Sequence, residues 1–255
     1  MRSEKPINIL DIKFCAYNQY QVLNVIGANI ESGRKALILS GNIQSFNLCY
    51  KNEWLKTLFN QADVVRIDGE GLRLGARMLG YELPERMTWA DFAWDLAKLC
   101  SERDYSIYLL GGRIGVAEKA AHKLKARNPD LRIVGKSHGF FDKTPGSSEN
   151  NAVIQEIYAA APDILIVGFG MPIQEKWIYD NWDDIHAKVI MTGGAVFEYV
   201  SGEVPRAPQW MTDNGLEWLG RFLIEPRRLW KRYLIGNPLF FWRILKQRLR
   251  FTSSG

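Results

Sequence analysis

A handful of polar residues at the ends of apolar runs are the ones placed to do chemistry in this chain. Asp68 follows Val64-Val65-Arg66-Ile67 and precedes Gly69-Glu70-Gly71. A carboxylate there is placed to act as a general base, its hold on a proton tuned by partial burial. It is also placed to cap a helix over 69–79, and Glu70 competes for the catalytic role. Ser40 and Asn42 flank Gly41 after a second apolar run, Gly111 and Gly112 precede Arg113 after a third, and the stretch from Gly168 to Glu175 follows a fourth. Two glycines between a strand and a helix either let backbone N–H groups approach an anion or make a tight turn. Gln174 can hold hydroxyls or a base edge, and Glu175 suits the positive end of a helix. Arg86, after Pro84-Glu85, is a ligand contact or a solvated charge. His138, in His-Gly-Phe-Phe-Asp, reads as part of a turn.

Several reaction classes lack their usual residues. No Gly-Lys-Ser/Thr follows the glycines, so a P-loop is excluded. Gly-x-Gly-x-x-Gly, Asp-x-Asp, Gly-x-Ser-x-Gly, His-x-x-x-His and Cys-x-x-Cys do not occur either. A departing diphosphate would therefore rely on arginines, lysines and helix N-termini.

Short β-branched runs at 36–40, 63–67, 105–110, 131–135, 163–169 and 187–192 read as strands, with an early strand at 7–14. Helical patterns lie at 19–31, 45–60, 69–79, 89–103, 114–127, 149–161 and 172–182. Continuous apolar strands between helices call for a parallel sheet covered on both faces. The expected fold is α/β, a Rossmann-like, mostly parallel sheet flanked by helices, with a basic helical C-terminal appendage. Polar loops at the carboxyl edge of such a sheet gather ligands. Residues 193–202 read as a loop. The core is expected over 1–200 and the appendage over 201–255, and a chain cut near 200 is expected to keep a folded core.

The 255 residues are 47% hydrophobic and 24% charged, which excludes wholesale disorder. Charge is unevenly spread. Between Arg221 and Arg250 nine Lys or Arg face one acid, Glu225, for +8, whereas the remainder holds 24 basic and 27 acidic residues, for −3. Along 239–250, Phe241, Leu245 and Leu249 share one helical face, with Arg243, Lys246, Gln247 and Arg250 on another, and Trp230, Tyr233, Phe240 and Trp242 nearby. This suits an anionic membrane surface, or a helix packed on the core with a basic rim. Cys15, Cys49 and Cys100 fit a reducing compartment. The first residues lack an apolar signal core, and no apolar run reaches the length of a membrane span.

Taken together these motifs resemble the WecG/TagA/CpsF family of bacterial glycosyltransferases. The run from Val167 to Trp177 is similar to that family's Gly-x-Pro-x-Gln-Glu-x-Trp signature. Asp68-Gly69 with Arg86 resembles its Asp-Gly and Glu-Arg elements. Gly202–Pro208 and Gly215-Leu216-Glu217-Trp218-Leu219 with Arg221, Glu225-Pro226, Arg228 and Arg232 resemble its C-terminal block. The resemblance implies an inverting, metal-independent transferase needing no cofactor. Such an enzyme moves a sugar from a UDP-sugar to a polyprenyl-diphosphate-linked glycan in cell-surface polysaccharide synthesis, at the cytoplasmic face of the plasma membrane and peripheral to it. It implies Asp68 as base, Ser40 and Asn42 near acceptor or donor sugar, Arg86 and Gln174 on ligand, with Gly111, Gly112 and Glu175 lining the same site. Arg206, Arg221, Arg228 and Arg232 would hold the UDP diphosphate. Ser40 stands where the family usually has Thr, and Glu198 where Asp is common. No nucleic acid is implied, and a homo-oligomer is compatible. A dinucleotide-dependent oxidoreductase and a non-enzymatic membrane or nucleic-acid adaptor are the competing readings.

Overall fold

A computed structural model describes residues 6–253. In chain order the elements are β1 (Ile7–Ile9), β2 (Ile12–Phe14), α1 (Gln19–Ser32), β3 (Ala36–Gly41), α2 (Ile43–Cys49), α3 (Glu53–Gln61), β4 (Val64–Ile67), α4 (Glu70–Met78), α5 (Trp89–Glu102), β5 (Ser106–Gly111) and α6 (Val116–Arg127). There follow β6 (Arg132–Ser137), α7 (Ser148–Ala160), β7 (Ile164–Gly168), α8 (Ile173–Asp180), β8 (Val189–Thr192) and α9 (Val196–Ser201). The chain closes with α10 (Gln209–Asp213), α11 (Glu217–Ile224), α12 (Pro226–Trp230), a π-helical turn (Lys231–Gly236) and α13 (Asn237–Ser253).

The fold is α/β, as the alternation of apolar runs and helices requires. A six-stranded sheet runs in the order β4-β3-β8-β7-β5-β6, with parallel pairing from β3 through to β6. Its inner strands are buried along their whole length because helices cover both faces. β6, at an edge, alternates between exposed and half-buried.

Three local expectations change. The early strand is a hairpin, with Ile9 opposite Ile12, in a sheet of its own. Leu10 and Asp11 turn it at φ 50° and 64°, a type I′ geometry without the usual Asn or Gly, so no turn signal marked it. The helix over 45–60 breaks at Tyr50–Asn52, where the Asn52 side chain bonds back to Leu48 O at 2.8 Å. Residues 193–202 are not all loop, since α9 occupies most of them, ending at Gly202 with φ 78°.

The chain forms two compact units. The first holds Met1–Asn18, Ser40–Thr88 and Arg206–Gly255; the second holds Gln19–Leu39 and Trp89–Pro205. In the second, Trp177 is buried, its indole donating to Asn150 Oδ1 at 2.7 Å, and Asn150 donates to Asn181 Oδ1 at 2.8 Å.

In the first unit, Phe14, Phe46 and Phe59 stack edge to face, and α13 completes the core. Phe240 and Ile244 are fully buried, and their side chains fill the space at Gly75, where a Cβ would stand 2.6 Å from the Phe240 ring. Gln247 behaves like a strand residue toward the hairpin, donating to Asn8 O at 2.9 Å and accepting from Leu10 N–H at 2.8 Å. Arg243 donates to Asn47 Oδ1 at 2.8 Å and lies over the Tyr50 ring. A chain cut near 200 therefore removes part of a core, which the sequence did not anticipate.

Pro226 stands in the first turn of α12, where a missing N–H costs nothing. Pro238 lies near the start of α13, and the helical run continues through it. The π turn just before it absorbs the hydrogen bond that proline cannot make, and Asn47 Nδ2 donates to the Gly236 carbonyl at 2.7 Å. The inward stripe is Leu229, Tyr233, Phe240 and Ile244, whereas Leu245 and Leu249 point to solvent with Trp230, Leu234, Ile235 and Trp242. Among the described residues no helix is long and apolar enough to cross a membrane.

The α4–α13 seam sets a stability test. Phe240→Ala should lower unfolding free energy by about 3–5 kcal/mol, and Gly75→Ala by about 1–3 kcal/mol through the opposite fault, overpacking. Denaturant melts of the full chain measure both.

Candidate active site

The first unit holds Ser40, Asn42, Asp68, Arg86 and Arg206 together with Arg66, Thr212 and Glu217, to which the sequence had assigned no role. Asp68 continues the extended line of β4, its N–H donating to Gly41 O at 2.8 Å. It does not cap α4, because the cap position falls one residue later on Gly69, at φ 125°. The half-buried Asp68 carboxylate is thus left for other work. Two residues earlier on the strand, and so on the same face, stands Arg66, which is almost wholly buried. One arm donates to Ser40 Oγ at 2.7 Å and the other to the Met87 carbonyl. Burial pushes this guanidinium down to about 10, against an upward pull from the Asp68 charge, so it remains a cation at neutral pH.

Met87 N–H donates to Ile67 O at 2.7 Å, which lays the 86–87 stretch along the end of β4. Arg86 donates to Glu217 Oε2 and to Thr212 O, each at 2.5 Å. The other Glu217 oxygen lies 3.8 Å from Arg206 Nε. Glu70, the rival base, is paired with Arg73 at 2.7 Å. Gly215, at φ 71°, turns so close to it that a Cβ would sit 3.1 Å from Glu70 Cγ. Asn42 caps α2 in a reciprocal box with Ser45, which engages its Oδ1. Arg221 and Arg228 converge instead on Glu225, at 3.6 and 2.7 Å, and Arg232 lies over the Tyr233 ring.

The second unit holds the other expected residues. Gly111 and Gly112 adopt φ 145° and 71°. Gly112 N–H donates to Gly168 O at 3.1 Å and its carbonyl accepts from Gly139 N–H at 2.8 Å. Both polar groups of Gly112 are thus engaged within the protein, and a Cβ on Gly111 would collide with the Gly168 carbonyl. The tight-turn reading accounts for this pair. Gln174 is buried and ties two loops together: Oε1 accepts from Gly170 and Gly194 N–H at 3.2 and 2.9 Å, and Nε2 donates to Glu175 Oε1 at 2.8 Å. Glu175 is fully buried, its Oε2 without a hydrogen-bond partner, and burial pushes its carboxyl up to about 7. His138 accepts from Phe140 N–H, a turn role. Among the described residues no three His, Cys, Asp or Glu side chains gather as a metal-binding group.

Of the residues that the sequence passed over, Arg66 carried a readable signal. A single guanidinium inside an apolar strand must find buried acceptors. Glu217 stood in the family-like block without a role of its own and the Thr212 carbonyl carried no signal, because both reach Arg86 across more than 120 residues.

Residues 7–254 match the glycosyl transferase WecG/TagA/CpsF family. Among curated proteins, an N-acetylglucosaminyldiphosphoundecaprenol N-acetyl-beta-D-mannosaminyltransferase of Staphylococcus aureus strain MRSA252 is 27% identical over 251 residues, covering 97% of this chain and 95% of the relative. The protein of that description from strain NCTC 8325 / PS 47 matches at the same identity and coverage, and that from strain MW2 at 26%.

Glu175 makes stability depend on pH. Its proton is held more tightly folded than unfolded, so unfolding free energy should fall as pH rises from 4.5 to about 7 and then level, a loss of about 3 kcal/mol. Glu175→Gln should flatten that slope in denaturant melts run across the range.

Proposed function

The chain belongs to the WecG/TagA/CpsF family of glycosyl transferases, and from that premise we propose that it moves a sugar from a UDP-sugar onto a polyprenyl-diphosphate-linked glycan, with inversion and without a metal. The observation that carries this reading is the Asp68 carboxylate, released from helix capping and set beside Ser40, Arg66 and the 86–87 stretch. The relatives' description supplies the acceptor class, an N-acetylglucosaminyl-diphosphoundecaprenol, and makes N-acetylmannosamine the first donor sugar to test.

In this reading Asp68 takes the proton of an acceptor hydroxyl. The hydroxyl oxygen bonds to the anomeric carbon from the side opposite the nucleotide, the bond from that carbon to the phosphate oxygen breaks, and UDP leaves. Charge developing on the diphosphate meets Arg86 and Arg206, while Arg221, Arg228 and Arg232 approach from the C-terminal helices. Ser40 and Asn42 stand by the sugar. In the second unit, Gln174 sets the loops after β7 and β8, and the Gly111–Gly112 turn shapes the same edge.

The outward stripe of Trp230, Leu234, Ile235, Trp242, Leu245 and Leu249, interleaved with Lys231, Lys246, Arg248 and Arg250, supports docking on an anionic membrane surface. Docking brings enzyme and lipid-borne acceptor to one plane, at the cytoplasmic face in this reading. The Phe240–Ile244 stripe holds the inner side of the same helix, so it can touch lipid without leaving the core.

A screen of UDP-sugars on a short-chain lipid diphosphate acceptor, read by mass spectrometry, tests the reaction. Asp68→Asn should lower transfer roughly 10²–10⁴-fold with UDP affinity near wild type, and chelator should leave the rate unchanged. Unaltered turnover in Asp68→Asn moves the base elsewhere. For the membrane, Trp242→Ser with Leu245→Ser should weaken sedimentation with phosphatidylglycerol vesicles by roughly 10-fold. Equal binding by the double variant removes that stripe from the account.

A further inference from the structure

Arg86 is not a loose surface arginine. One of its terminal nitrogens donates to Glu217 Oε2 and the other to the Thr212 carbonyl, both at 2.5 Å. The Arg86 and Glu217 side chains are only 18% and 13% exposed. Glu217 does not spend both oxygens on one partner, because its second oxygen faces Arg206 Nε at 3.8 Å. One carboxylate therefore stands between two guanidinium groups carried by segments 120 residues apart in sequence.

The local backbone enforces this placement. Thr212 is buried near the end of α10, with its hydroxyl bonded to Gln209 O at 2.7 Å. The chain then reverses at Gly215, packed on Glu70, and enters α11 with Glu217 as its first residue. An acid in a first helical turn is also favoured by the helix's own field.

We propose that Glu217 is a positioning residue, holding Arg86 and Arg206 as a fixed guanidinium pair for the diphosphate of the nucleotide donor. The inference rests on the functional reading above and adds to it the residue that preorganises the cationic arm. Two arginines left side by side repel, and each would sample many rotamers. A shared, mostly buried carboxylate removes both costs while leaving the trio at net +1. An arginine has five N–H donors in a rigid fork, and Glu217 and Thr212 engage Arg86 through one nitrogen each, so donors remain for phosphate oxygens. Cationic groups fixed before the ligand arrives lose less entropy on binding, and are already in place when charge develops on the leaving group.

The opposite role, a carboxylate that competes with phosphate for the arginines, makes an opposite prediction. Calorimetric titration of the full chain with UDP separates the two. Glu217→Gln should raise the UDP Kd roughly 10-fold or more, and Glu217→Asp, which keeps the charge with a shorter reach, should recover part of that loss. Because Glu217 acts through Arg86, the cycle with Arg86→Gln decides the matter: in the Arg86→Gln background, Glu217→Gln should change the Kd by less than about twofold. A purely structural role would carry its full effect into that background, and either that result or tighter UDP binding by Glu217→Gln overturns the proposal. Should Glu217→Gln not fold, Glu217→Asp takes its place in the cycle, and an Asp variant that binds UDP like wild type is equally fatal. Wild-type protein that binds no UDP overturns the donor reading and this inference together. Wild-type binding with an indifferent Glu217→Gln overturns the inference alone.

Discussion

A guanidinium with almost no solvent contact has to be answered by acceptors, and the way Arg66 is answered organises the candidate site. Its two arms reach the Ser40 hydroxyl and the Met87 carbonyl, and Asp68 shares its face of the strand. Three stretches of chain are thereby drawn to one point: the end of β3, the end of β4 and the loop that carries Arg86. Leaving that charge without partners costs several kcal/mol, so the arrangement is held by the cost of breaking it. The nearby Asp68 charge in turn favours the charged form of the guanidinium.

The C-terminal segment reaches the same place from another direction. Its last helix is apolar on two sides for two reasons. The inner stripe replaces solvent at Gly75 and the hairpin, with Gln247 supplying the polar contacts that an exposed strand end needs. The outer stripe, from Trp230 to Leu249, is exposed. The turn at Gly215 carries Glu217 to Arg86. Packing, charge and surface are in this way assigned to separate faces of a single stretch of sequence.

In the second unit the glycines and Gln174 serve geometry. Gly111 lies so close to Gly168 that no side chain fits, and Gln174 replaces backbone pairing between two loops that have no strand to pair with. The cost of this compact arrangement is Glu175, whose carboxyl is taken out of water with one oxygen unanswered. A motif that reads as a set of ligand contacts is thus, in part, a set of internal ties.

The chain's own pattern determined the α/β class, six sheet strands to within a few residues, and the position of Asp68 at a strand end, because apolar periodicity and flanking glycines are local signals. Family motifs marked Arg86, Gln174 and the C-terminal arginines for the same reason. Three things were decided only in three dimensions. Asp68 leaves the capping role to Gly69 because Gly41 holds its backbone extended. Leu245 and Leu249 face outward because Phe240 and Ile244 fit Gly75 better, a choice between two apolar stripes that periodicity cannot make. Arg86 meets Glu217 rather than solvent because folding joins segments that share no local signal, and charge pairing depends on distance in space, which sequence separation does not encode.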